Sequence, residues 1–328
     1  MAATSPAREQ RVLAGGLASS RLVLGTMTFG SQVDQAGVDE MVAMSLEAGI
    51  THFDTANVYN RGVSEEMLGR ALRGRREEVA IATKVRNKMD DAPDGGGLGA
   101  PAIRRAIDES LARLGTDHVE LYYLHQPDRS VPIEETLEAM ASLEKAGKIG
   151  HVGFSNYAAW QVASMIDLCR REGWAEPRIG QQLYNPISRG LEEEYAEFAA
   201  TRGVSTLIYN PLAGGMLTGK HRGKAEPPPG RFAANANYRE RYWTGVQMAA
   251  TERLGEIAEA AGLSLIELTF RWLLAQPVVD GVILGASSPE QLRANLNAAD
   301  GPPLDAASAS AVDDVWANVR GTFPRYNR

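Results

Sequence analysis

Eight short runs of apolar and β-branched residues recur along this chain, and amphipathic helical runs fill the gaps between them. The apolar runs lie at residues 22–25, 51–55, 79–83, 119–125, 149–155, 179–183, 204–209 and 281–284. Helical periodicity carries "GVDEMVAMSLEAG", "SEEMLGRALRG", "PAIRRAIDESLARLG", "PIEETLEAMASLEKAG", "AAWQVASMIDLCRREG" and "LEEEYAEFAATRG", several of which close on a glycine, a common helix stop. Successive strands start roughly 25–40 residues apart, about one strand–helix unit. The last gap is longer and predicts a loop over 211–250 followed by two extra helices. Eight such units in about 300 residues predict a (β/α)8 barrel. A doubly wound sheet would want fewer strands and a glycine turn for phosphate after its first one. The first strand here leads instead into "GTMTFG". The letters "GGGLGA", 95–100, imitate a dinucleotide fingerprint, but they follow the polar "NKMDDAPD" rather than a strand, which predicts a flexible loop. One domain is expected over 1–328, with an N-terminal hairpin and first strand at 10–25 and a C-terminal helix and tail at 300–328. The hairpin is expected to plug the barrel bottom.

At 44% hydrophobic and 23% charged, the chain has the composition of a soluble protein with a sizeable core. A formal charge of −7 argues against general binding to nucleic acid or anionic membrane. The single cysteine, Cys169, cannot form an internal disulfide. The N-terminus lacks the apolar core of a signal peptide, and no apolar run approaches a membrane span. These features together predict a cytoplasmic protein.

In a barrel of this kind the functional groups sit at the C-terminal ends of the strands. Asp54 ends the second predicted strand and Tyr59 follows in its loop. Lys84 ends the third and His125 the fourth. Singly, each is an ordinary turn, surface or core residue; on three successive strand ends they converge on one pocket. One histidine and one aspartate are too few for a metal site, and lysine is a poor ligand. Proton transfer and a Schiff base on Lys84 both remain open. Proton transfer uses all four groups. A phenol near its ordinary pKa is a weak acid at neutral pH, and a neighbouring ammonium favours the phenolate. Asp54 would hold Lys84 charged beside Tyr59, and His125 would donate to a substrate carbonyl.

The order and combination of "FDTANVYNRGVSEEMLGRAL", "ATK", "LYYLHQPD", "VGFSN", "QQLYNP", "PLAGGMLTGK" and "LGASSPEQLRANL" resemble the aldo-keto reductases from about Arg21 to the chain end. The resemblance implies Asp54, Tyr59, Lys84 and His125 as the catalytic tetrad, with Tyr59 as general acid and hydride coming directly from NADPH. It implies that Gly25, Thr26, Met27 and Asp54 border the nicotinamide, that Ser155, Asn156 and Gln182 bind its carboxamide, and that Tyr209 stacks on its ring. Asn210, Pro211, Leu212, Gly214 and Lys220 would wrap the pyrophosphate. Gly285, Ser287, Ser288, Gln291 and Asn295 would receive the adenosine phosphate at a helix N-terminus. Many members carry a lysine or arginine where this chain has Gly285 and Gln291, so Arg231 and Lys220 are the expected cations for a 2′-phosphate.

The motifs "YNPLAGGMLTGK" and "YRERYW" and the ending "RYNR" are most similar to the aflatoxin-aldehyde and succinic-semialdehyde reductase branch. That implies small aldehydes or dicarbonyls as substrates, often carrying a carboxylate gripped by Arg241 and Arg328. Met27, Tyr59 and His125 would line the same pocket, with Tyr242 and Trp243 as walls. Relatives in this branch are often dimers, so the resemblance admits a homodimer. "VILGASSPEQL" is also similar to the β subunits of potassium channels, which bind NADPH and dock on a membrane partner.

Overall fold

The computed structural model describes residues 9–224 and 226–322. Strands β1 (Gln10–Val12) and β2 (Ala18–Ser20) pair antiparallel as a hairpin. Eight further strands follow: β3 (Leu22–Gly25), β4 (His52–Asp54), β5 (Ala80–Val85), β6 (Val119–Leu124), β7 (Ile149–Ser155), β8 (Ile179–Leu183), β9 (Ser205–Tyr209) and β10 (Gly281–Leu284). All pair in parallel, and β10 pairs with both β9 and β3, closing the barrel. The eight-strand expectation therefore holds, with boundary shifts that matter for the site. Strand β5 runs on to Val85, so Lys84 is an interior strand residue rather than a terminal one, while His125 lies one residue beyond β6.

Around the barrel run α1 (Gln35–Ala48), α2 (Val63–Ala71), α3 (Ala100–Leu114), α4 (Ile133–Lys145), α5 (Ala159–Glu172) and α6 (Tyr195–Arg202). Helix α1 starts where the Asp34 carboxylate accepts from Gly37 N–H, and it stops at Gly49, whose φ of 92° is the left-handed conformation that glycine adopts without strain. The stretch expected as a loop is partly helical: α7 (Arg231–Ala234) and α8 (Ala236–Tyr242) occupy it, and α9 (Gly245–Ala260) begins inside it. Packing explains the difference. Phe232, His221 and Trp243 meet ring to ring at 5.2–5.3 Å, holding short helices that have little stability of their own. Helices α10 (Leu265–Leu274), α11 (Pro289–Ala299) and α12 (Ala306–Arg320) complete the chain.

The hairpin closes the barrel bottom. Leu13 and Leu17 join Val23, Ala82, Leu121, Tyr123, Leu207 and Ile283 in one interior apolar cluster. Ser19 Oγ lies 2.8 Å from Nδ1 of His52, which is fully buried. Among the described residues no helix is long and apolar enough to cross a membrane.

Candidate active site

A cavity of about 900 Å³ opens at the C-terminal ends of the strands. Asp54, Tyr59 and His125 line it, and Lys84 stands directly behind them. Asp54 pairs in register with Ala82 of β5, so an inward lysine two residues further on reaches back to it. Lys84 Nζ donates to Asp54 Oδ1 at 2.5 Å, to Thr55 O at 2.6 Å and to the Tyr59 hydroxyl at 3.4 Å. It also sits 4.9 Å from the Tyr59 ring centroid. The other Asp54 oxygen accepts from Gln181 Nε2 at 2.7 Å. Tyr59 is brought over the lysine by a tight turn in which Asn60 (φ 48°), Arg61 (φ 54°) and Gly62 (φ 92°) are all left-handed. Two non-glycine residues in that region carry backbone strain, which the surrounding fold must hold in place.

Burial and charge then set the protonation states. Burial alone would depress Lys84, but Asp54 and Tyr59 hold it above its ordinary value, so the ammonium is kept. His125 is pulled down to about 3 by burial, with Lys84 and Arg86 adding to the effect, so the ring is neutral. The phenol of Tyr59 goes the other way from the sequence expectation. Burial raises it, and the opposing pull of Lys84 does not bring it below its ordinary value. The lysine still favours the phenolate over what burial alone would allow.

The structure brings most of the other candidates to the same cavity. Gly25, Thr26, Met27, Ser155, Asn156 and Tyr209 line its inner part. Asn156 (φ 62°) donates to His125 O at 2.9 Å and accepts from the Tyr209 hydroxyl at 2.5 Å, so one strained residue ties the ends of β6, β7 and β9 together. Asn210, Pro211, Leu212, Gly214 and Lys220 line one flank, and Gly285, Ser287, Gln291 and Asn295 line another. Lys220 Nζ lies over Gly215 and makes no ion pair among the described residues. Arg241 is exposed, lines the cavity near Tyr209 and has no carboxylate partner among the described residues.

Four expectations need correction. Gln182 does not face the cavity: its Nε2 donates to Tyr157 O on the outside of the barrel, and Gln181 lines the cavity instead. Adjacent strand residues point to opposite faces, and two consecutive glutamines hide which is which; counting inward from the apolar Ile179 would have found Gln181. Ser288 does not line the cavity, because its hydroxyl caps α11 by accepting from Gln291 N–H. Gln291 in turn folds back, its Oε1 accepting from Ser287 N–H and Oγ–H. Tyr242 is buried behind the wall and Trp243 packs in the aromatic cluster, while Tyr238 of α8 lines the cavity. The Arg231 side chain and Arg328 lie outside the described residues.

A closed parallel barrel with an acid–lysine–tyrosine cluster and a neutral histidine at its mouth defines a class of proton-handling enzymes. The aldo/keto reductase family model matches residues 21–317, and the chain belongs to that family. It is an oxidoreductase. Human aflatoxin B1 aldehyde reductase member 2 is 38% identical, the match covering 93% of this chain and 89% of that protein. An uncharacterized oxidoreductase of Bacillus subtilis (strain 168) is 33% identical, covering 94% and 96%. A probable voltage-gated potassium channel subunit beta of Oryza sativa subsp. japonica is also 33% identical, covering 93% and 94%.

Proposed function

We propose that this chain uses NADPH to reduce small aldehydes and dicarbonyls, including carboxylate-bearing ones such as succinic semialdehyde. The cavity fits a long anionic cofactor: its inner wall offers amide and hydroxyl groups, and one flank carries over a glycine turn the cation Lys220, which has no ion-pair partner among the described residues. When bound, the nicotinamide supplies the hydride. Ser155, Asn156 and Gln181 face its inner end, Tyr209 walls it, and the 211–220 segment with Lys220 takes the phosphates.

The observation that carries this reading is the contact of Lys84 with both Asp54 and Tyr59 beneath the cavity. Tyr59 gives its hydroxyl proton to the substrate oxygen as that oxygen gains charge. Lys84 stabilises the phenolate left behind, and Asp54 keeps the lysine charged and aimed. Neutral His125 orients the carbonyl by donating to it. Arg241, at the open side, holds a substrate carboxylate, in keeping with the bidentate fit of guanidinium to carboxylate.

The test is loss of reduced-nicotinamide absorbance with succinic semialdehyde and with an uncharged aldehyde of similar length, for the purified protein and Tyr59→Phe. Turnover that falls by about 10²–10⁴-fold in the variant, with cofactor binding retained, is the expected result. Undiminished turnover in Tyr59→Phe would sink the assignment of the acid. The rice β-subunit likeness favours one other reading, a cofactor-binding module that docks on a partner. Tight NADPH binding with no turnover of any aldehyde would select it.

A further inference from the structure

We infer that Asn87 is a positioning residue that fixes the tautomer of His125, placing the ring proton on Nε2, where it faces the substrate oxygen. This rests on the proposed role of His125 as the carbonyl's hydrogen-bond donor. Asn87 lies in the turn just after β5, and its Nδ2 is 3.2 Å from His125 Nδ1. Its other amide atom is already committed, since Oδ1 accepts from Gln126 Nε2 at 2.9 Å. An amide with its oxygen engaged by a donor presents only N–H to its second neighbour. Nδ1 must then accept, and a neutral imidazole that accepts at Nδ1 carries its proton on Nε2.

The choice of tautomer matters because the ring is neutral. Lys84 and Arg86 face it from the β5 side, Tyr59 packs edge-on at a centroid distance of 6.1 Å, and the β7 side contributes the Asn156 amide to the His125 carbonyl. No carboxylate is hydrogen-bonded to Nδ1 among the described residues. A carboxylate there can only accept, and it would draw the proton onto Nδ1. The neutral ring would then turn a lone pair toward the substrate. An amide whose oxygen is held by Gln126 does the opposite. Nothing in the local pattern marks Asn87, which sits three residues beyond Lys84 in a polar loop.

The test is made on the full-length protein with ¹⁵N-labelled histidine. Long-range ¹H–¹⁵N spectra assign the His125 tautomer directly, with assignment from a His125→Gln sample. The expected wild-type pattern is an unprotonated Nδ1 and a protonated Nε2. A wild-type ring protonated on Nδ1 overturns the inference, whatever the variants do. Asn87→Leu removes the donor: its Nδ1 resonance should move and kcat should drop several-fold, with the NADPH dissociation constant unchanged. An unmoved resonance and an unchanged kcat in that variant would also overturn it. Asn87→Asp should protonate Nδ1 and give kcat a new limb that falls as pH rises through the shifted His125 pKa. Failure of the functional reading looks different: Tyr59→Phe would keep its turnover while the wild-type spectrum still showed the proton on Nε2.

Discussion

Asp54 and Lys84 stand on strands hydrogen-bonded on both sides, with every charged atom taken up by a named partner. Lys220 and Arg241 line the same cavity on the 211–250 segment, whose short helices are held by aromatic packing within the segment, and both are exposed. One rim is built like a core and the other like a surface. Buried groups on paired strands couple chemistry to stability, because the fold cannot relax around them. Exposed groups on short helices can change recognition without touching the fold. Each rim should therefore respond differently to substitution.

The largest effect is expected at Lys84→Met. It leaves the carboxylate of Asp54 buried and without its cation, which typically costs about 3–5 kcal/mol. Urea unfolding should show that loss together with a fall in turnover of about 10²–10⁴-fold. A variant that loses turnover but unfolds like wild type would break the link between chemistry and fold on this rim.

Arg241→Gln should do the reverse. The KM for a carboxylate-bearing aldehyde is expected to rise by tenfold or more, consistent with about 1.5–3 kcal/mol for a charge-assisted hydrogen bond. Stability should stay within about 0.5 kcal/mol of wild type, as for most surface changes. An equal rise in KM for the uncharged aldehyde would remove the carboxylate contact.

Below the catalytic groups, His52 sharpens the contrast. Burial, and secondarily Lys84, lowers it from 6.5 to about 3. Between those values the unfolded ring binds a proton that the folded ring excludes, so stability is complete above about pH 6.5 and falls as the pH drops toward 3. The slope is about 1.4 kcal/mol per pH unit for one ring. His125, lowered to about 3 as well, adds a second such contribution. Comparing urea midpoints of wild type and His52→Gln across pH 7 to 4 isolates the His52 share; identical slopes would show that the ring titrates normally.

The smallest effect is expected at Lys220→Gln. An exposed cation facing phosphate is worth about 1 kcal/mol or less and is screened by salt. NADPH affinity should fall several-fold at low ionic strength, and the gap should close as salt is added. A salt-independent loss would mean that Lys220 supports the segment's packing rather than the phosphates.

Asp54, Lys84 and His125 were legible because strand ends in a barrel are fixed by periodicity and each falls within a residue of one, and Tyr59 was legible in the loop that follows Asp54. Gln181 was missed because two neighbouring glutamines look alike, although its face could have been counted by alternation from the apolar Ile179. Tyr238 and Asn87 were not legible, because a loop's contacts depend on what it folds against.

The number and order of the strand–helix units were readable in the chain alone, because hydrophobic period and glycine stops are local properties, and the family resemblance was carried separately by the order of its motifs. Three features came from the folded chain instead: the 211–250 segment is partly helical, Ser288 caps a helix, and burial outweighs Lys84 in setting the Tyr59 phenol. Those outcomes depend on desolvation and on contacts between residues far apart in the chain, and neither is written in any local pattern.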